Sequence, residues 1–334
     1  MLPTAVLACG CSAVVQGRPA AGPREVDQAY FFAGGVPVYG QTVAAPDVAM
    51  LAYLRALRRI DVCGIAARDV LADVGEINSV GTLFAFNECD VDFKISGESG
   101  RRIASVELLM SRNPGMLVSA GVGRMPVYQS SLGACDDLVQ LPLERLPNAP
   151  APQTPDRPFV KVGLTGRKDC ALVQRIAADV AERLPSAVLP PRDAVAAYPA
   201  PLAERDPCEV LAVVGDRVDA WDVGHSQPYQ CRLSLRQPGR AGAVQLSVRL
   251  MPRSVEAMAA GWQRQDQNGV EIYLNPVSCE GVSFVGPPMQ RRVFGRDNAS
   301  ELDVSIRPAV VVDAGKRDCD VAADVTGRAA RLYN

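Results

Sequence analysis

The chain has 334 residues, with 35 basic against 37 acidic side chains and a formal net charge of -2. That length exceeds one ordinary core and fits two domains, while 48% apolar and 22% charged residues exclude a disordered chain. The balanced charge gives no electrostatic basis for a nucleic-acid partner.

Residues 1–23 read as a truncated signal and lipobox followed by a tether. Met1 to Ala8 is apolar and runs through Cys9 and Gly10 into Cys11, and the stretch to Pro23 is small, polar and rich in Gly and Pro. Residues 24–184 form the first expected domain. Its opening segment, with Tyr30, Phe31 and Phe32, should dock in extended form on the core. Pro46 and Asp47 start a helix whose apolar stripe is Val48, Leu51, Leu54, Leu57 and Ile60, and a second helix fits residues 65–74. Cys89, Val91 and Phe93 then alternate with Asp90, Asp92 and Lys94, predicting a strand with a solvated acidic face, and residues 103–110 supply its hairpin partner. A further strand is expected over 159–164 and a helix over 169–184, with Asp169 as its N-cap.

Residues 185–202 carry several prolines and read as a semi-rigid linker. Residues 203–334 repeat the pattern: a hairpin from Cys231 and residues 244–250, strands over 270–274 and 302–306, and a final helix over 318–332 capped by Asp318.

The repeat is clearest in the cysteines. Cys63, Cys89, Cys135 and Cys170 are spaced nearly as Cys208, Cys231, Cys279 and Cys319 are. Gly166-Arg167-Lys168-Asp169-Cys170 echoes Gly315-Lys316-Arg317-Asp318-Cys319, and Met110-Ser111-Arg112 echoes Met251-Pro252-Arg253. The expectation is α+β: two tandem duplicated domains, each an antiparallel sheet with helices on one face, stapled by disulfides. Sequential pairing is favoured, Cys63 with Cys89, Cys135 with Cys170, Cys208 with Cys231 and Cys279 with Cys319, among three arrangements open to each set of four. Such a framework belongs in an oxidising, extracytoplasmic setting.

Leu7-Ala8-Cys9-Gly10-Cys11-Ser12, the Val14-Val15-x-Gly17-x-Pro19 tether and the Asp-x-Cys that opens each domain together resemble the cell-envelope lipoproteins of mycobacteria, nocardiae and related actinobacteria. The specific match covers about the first 25 residues. The resemblance implies lipidation at Cys11, with Cys9 as competitor, and hence a membrane partner through a lipid anchor alone.

Catalytic signals are thin. The chain has one histidine, His225, near Asp222 and Ser226, and no G-x-S-x-G elbow, P-loop or dinucleotide fingerprint. After Cys11 no cysteines stand at zinc-ligand spacing, so no metal or cofactor is expected. Trp221, His225 and Trp262 are the candidate ligand-binding residues. The leading expectation is a non-enzymatic, surface-tethered binding or scaffold protein of the cell envelope, with an unidentified protein or small-molecule ligand. Alternatives are an extracytoplasmic hydrolase using Asp222 and His225, or the ligand-sensing module of a signalling system.

Overall fold

Strict alternation along β3 (Arg102–Ser111) and β10 (Ala243–Ser254) buries every second side chain, and each strand is the long central member of one antiparallel sheet. The computed structural model describes residues 27–65, 75–82, 84–94, 102–112, 116–119, 125–129, 135–165, 169–184, 188–192, 200–239, 241–289, 292–293 and 306–334. Cys9, Cys11 and the tether lie outside the described residues, as do 66–74, where most of the second helix was expected.

The first half contributes β1 (Glu76–Gly81), β2 (Glu88–Lys94), β3, β4 (Met116–Ser119), β5 (Val127–Gln129), β6 (Asp137–Gln140) and β7 (Arg157–Thr165). The second contributes β8 (Val218–Trp221), β9 (Gln230–Arg236), β10, β11 (Gln263–Asp266), β12 (Glu271–Asn275), β13 (Glu280–Phe284), β14 (Arg292–Val293) and β15 (Ile306–Asp313). The sheets run β14-β1-β2-β3-β7-β6-β5-β4 and β8-β9-β10-β15-β13-β12-β11. Without β14, the two strand orders are the same.

Register agrees as well. Cys89 pairs with Val106 and Val106 with Val162, while Cys231 pairs with Val248 and Val248 with Val312. The cysteine-containing turns are capped alike, Cys63 by the Asp61 carboxylate at 3.0 Å and Cys208 by Asp206 at 2.9 Å. The disulfides are Cys63–Cys89, Cys135–Cys170, Cys208–Cys231 and Cys279–Cys319, all within one half.

The Met-x-Arg echo is out of register. The Leu108 amide meets the Asn87 carbonyl as the Leu250 amide meets that of Tyr229, so Met110 corresponds to Pro252 and not to Met251. A one-residue offset turns a strand side chain to the other face. Met110 is accordingly in the first core, while Met251 packs in a small cluster with Met258 and Trp262.

Helices cover one face of each sheet, with one exception in the second half. In the first half, α1 (Ala45–Arg58) turns Met50, Leu54 and Leu57 inward, beside α2 (Val62–Ile65) and Leu172, Val173, Ile176 and Val180 of α3 (Cys170–Arg183). Asp169 caps α3 through the Leu172 amide at 3.1 Å. In the second half are α4 (Val210–Val214), α5 (Val255–Ala259) and α6 (Cys319–Tyr333), the last packing Val321, Ala322, Val325 and Ala329 on its sheet. The exception is α5, whose Met258 packs with Val282, Ala309 and Val311 on the opposite face of that sheet. Asp318 holds the N-cap position of α6 without a side-chain capping bond. Phe31 and Phe32 dock on the first core as expected, but in a 3-10 turn, Gln28–Phe32, and not in extended form.

One expectation fails on solvent exposure. Asp90 and Asp92 are buried, on an inner strand flanked by β1 and β3. Of the strand expected over 302–306, residues 302–305 lie outside the described residues, and Ile306 begins β15, whose apolar run from Ala309 to Val312 is buried.

The halves are not beads on a spacer. Leu189 is buried in the first core, the Pro190 carbonyl accepts from the Asp61 amide at 2.8 Å, and Pro191 bridges Ile60, so this part of the linker packs onto the first half. Phe86 of the first half joins the second core, Val223 of the second joins the first, and β14 extends the first sheet by pairing with β1. At the seam, buried Arg58 binds Asp206 at 2.6 Å and the Pro228 carbonyl at 3.0 Å. The Tyr229 hydroxyl donates to the Ala203 carbonyl at 2.6 Å, and its ring meets Phe86 edge-on at 5.5 Å.

Candidate functional site at the seam between the halves

The β8–β9 connection carries His225 across the seam. Val223 plugs into the first core, and a 3-10 turn over Val223–His225 then reverses the chain so that His225 stands outside it. Gln227 fixes this turn from the other side. Its amide nitrogen donates to the Met110 carbonyl at 3.2 Å, and its amide oxygen accepts from the Met110 N–H at 3.0 Å, so it pairs with β3 as another strand would. Pro252 occupies the corresponding place in the second half and has no N–H to satisfy.

The result is a groove of about 380 Å³ shared by both halves. Met50 and Met110 give it an apolar lining, Arg112, Asp156 and Arg232 supply charge, and His225 adds an imidazole. Arg112 grips Asp156 through two contacts at 3.2 and 3.1 Å, and that hydrogen bonding raises the guanidinium pKa. His225 Nδ1 lies 2.9 Å from an Asp222 carboxylate oxygen, which favours the tautomer with Nδ1–H directed at Asp222 and Nε2 open. Arg232 has no side-chain partner among the described residues. Two carboxylates are therefore already engaged, and the open groups are a histidine nitrogen and a guanidinium beside two methionines. This arrangement suits a ligand with an acceptor or anionic group and an apolar body.

The three candidate residues are not gathered. His225 lines the groove. Trp221 sits deeper in the seam, packed against both cores and 6.3 Å from the Tyr39 ring, with its indole nitrogen buried and without a hydrogen-bond partner among the described residues. Trp262 packs with Met258, Val282, Ala309 and Val311 in a separate cluster. Sequence reasoning missed Arg112 and Asp156, which β3–β7 pairing brings together within the first half, and Gln227, which reaches them only across the seam. The Ser226 hydroxyl donates to the Asp222 carbonyl at 2.9 Å and is buried, so the Asp222-His225-Ser226 run does not form a nucleophilic triad. Among the described residues no cluster of acidic, histidine or cysteine side chains has metal-binding geometry.

No helix of the described residues is long and apolar enough to cross a membrane. The four disulfides fit a non-cytoplasmic, oxidising compartment. No protein-family model, curated protein or solved structure matches the chain.

Proposed function

We propose that this is a non-enzymatic binding module of the cell envelope, held at the membrane by a lipid on Cys11, in the manner of the actinobacterial lipoproteins that its N-terminus resembles. Its two halves descend from one duplicated α+β domain, and its ligand lies in the groove beside His225. The observation that carries the binding reading is the groove itself: both halves build it, Gln227 holds its walls together, and His225 and Arg232 face it with open polar groups. The duplication reading rests on the shared strand order, register and disulfide placement.

Native mass spectrometry of the protein exported from an actinobacterial host tests this reading. The expected result is a co-purifying small molecule or lipid that the His225→Ala/Arg232→Ala double variant loses while retaining its fold. Saturable ester hydrolysis by the wild type, abolished in His225→Ala alone, would replace the binding reading by the hydrolase one. That alternative draws on the Asp222–His225 contact, but no serine hydroxyl among the described residues hydrogen-bonds His225.

A further inference from the structure

A second cleft on the seam, also about 380 Å³, is lined by Arg55, Arg58, Arg59 and Arg192. Four guanidinium groups in one small space repel each other unless anions answer them. The carboxylates present do so only in part. Asp206 is taken by Arg58, and Glu209 by Arg205, which is outside the cleft lining. Glu204 is the one lining carboxylate with no cationic partner among the described residues. Arg55, Arg59 and Arg192 are held instead by neutral backbone carbonyls. Arg55 donates to Ala33 at 2.9 Å and Gly34 at 2.7 Å, Arg59 to Ala33 at 3.1 Å, and Arg192 to Arg58 at 3.0 Å and Phe86 at 2.8 Å.

Carbonyls orient a guanidinium without cancelling its charge. Three fixed cations therefore face one carboxylate, leaving the cleft with excess positive charge. Burial, and after it the Arg59 and Arg58 charges, lower the Arg55 pKa, with Asp206 opposing. The donors are already rigid, so an anion entering the cleft would meet little ordering cost. Tyr30, stacked under the Arg59 guanidinium at 4.9 Å, gives the cleft an aromatic wall. The Tyr39 hydroxyl is kept neutral by burial and by Asp206, so it adds no negative charge.

We propose that this arginine-lined cleft binds a phosphate-type oxyanion, either free or as the head of a phosphate ester. The site is separate from the groove beside His225 and does not rest on it. Guanidinium groups match the geometry of phosphate oxygens, and their number here fits a multiply charged group better than a single carboxylate.

Isothermal titration at low ionic strength, with inorganic phosphate and with phenyl phosphate as probes, tests the assignment. The wild type should bind at least one of them saturably; tighter phenyl phosphate binding points to an ester, and equal binding to the free anion. Arg59→Gln should weaken binding about tenfold, and Glu204→Gln, at an exposed position, should tighten it about threefold. The His225→Ala/Arg232→Ala variant should bind phosphate as the wild type does, which keeps failure of this site distinct from failure of the groove. Absence of saturable binding to either probe, or Glu204→Gln binding no tighter than wild type, would overturn the proposal even if Arg59→Gln does not fold.

Discussion

The two halves share a frame and differ at matched positions within it. Asp90 and Asp92 in β2 correspond to Arg232 and Ser234 in β9, and Asp137 in β6 to Gly281 in β13. A Cβ at Gly281 would stand 2.3 Å from the Thr326 hydroxyl oxygen, so the absent side chain is what lets α6 lie close on its sheet. At the matching place the first half buries a carboxyl group, whose pKa burial raises, with Asp136 adding to the effect. The frame is thus set by strand order, disulfides and capped turns, while side chains on that frame decide where charge is buried and what the seam presents to a ligand.

The sharpest break in this comparison is Arg58. Its counterpart by distance from the capped cysteine is Ala203, so the buried ion pair to Asp206 exists once and joins the halves. Arg58→Ala leaves the part-buried Asp206 carboxylate with its bond from the Cys208 amide but without its cation, and the expected cost is about 2 to 3 kcal/mol. Calorimetry should show one unfolding transition for the wild type and a split or broadened one for the variant. An unchanged single transition would mean that the halves are not coupled through this pair.

Removing one equivalent disulfide from each half compares the frames directly. The Cys63–Cys89 and Cys208–Cys231 bridges close spans of 26 and 23 residues, so the paired Cys→Ser variants should each lose about 3 to 4 kcal/mol in the chain-entropy account. Urea unfolding of both variants measures this. Losses differing by more than about 2 kcal/mol would show that equal topology does not carry equal energetics.

A smaller effect separates the acidic strand from its partner half. Glu88 begins the face that Asp90 and Asp92 continue, and it stands opposite Glu107 on β3. Burial, then Asp90, then Glu107 push its pKa up to about 7 from 4.5, with Lys161 opposing. The folded state therefore holds a proton that the unfolded chain releases. This contribution to stability is present below the unfolded value, and it is lost as pH rises through about 7. Because Glu88 is partly solvated, the discounted effect is about 1 to 2 kcal/mol. Glu88→Gln should be stabilised by that amount over wild type at pH 8 and by nothing at pH 4, read from urea midpoints. An equal gain at both values would refute the pKa origin.

Much of the frame was legible in the chain. The cysteines carried the preference for sequential pairs, three-residue apolar spacing carried α1, alanine-rich segments behind an N-cap aspartate carried α3 and α6, and alternation carried the β2–β3 and β9–β10 hairpins, because these signals are local. Other strands were not legible for the same reason. Gln263 to Asp266 in β11 has no apolar alternation, and Val127 to Gln129 in β5 is too short to show any; each is a strand only because a neighbour supplies its hydrogen bonds.

The candidate site divides along the same line. His225 and its contact with Asp222 lie within one short segment and were visible in the sequence. Arg112, Asp156 and Gln227 were not, since the groove they build arises from docking two halves, which depends on shape and polar pairing between residues far apart in the chain. Asp90 and Asp92 show the same division: alternation placed them together on one face of the strand, but whether that face met water was decided by what packs over it. By itself the sequence carried the local periods, the cysteine positions and their matching spacing, all readable along the chain. The tertiary structure alone decided the burial of the acidic face, the exchange of Phe86 and Val223 between cores, and the two seam clefts, because burial and pairing depend on surfaces that only the folded chain brings together.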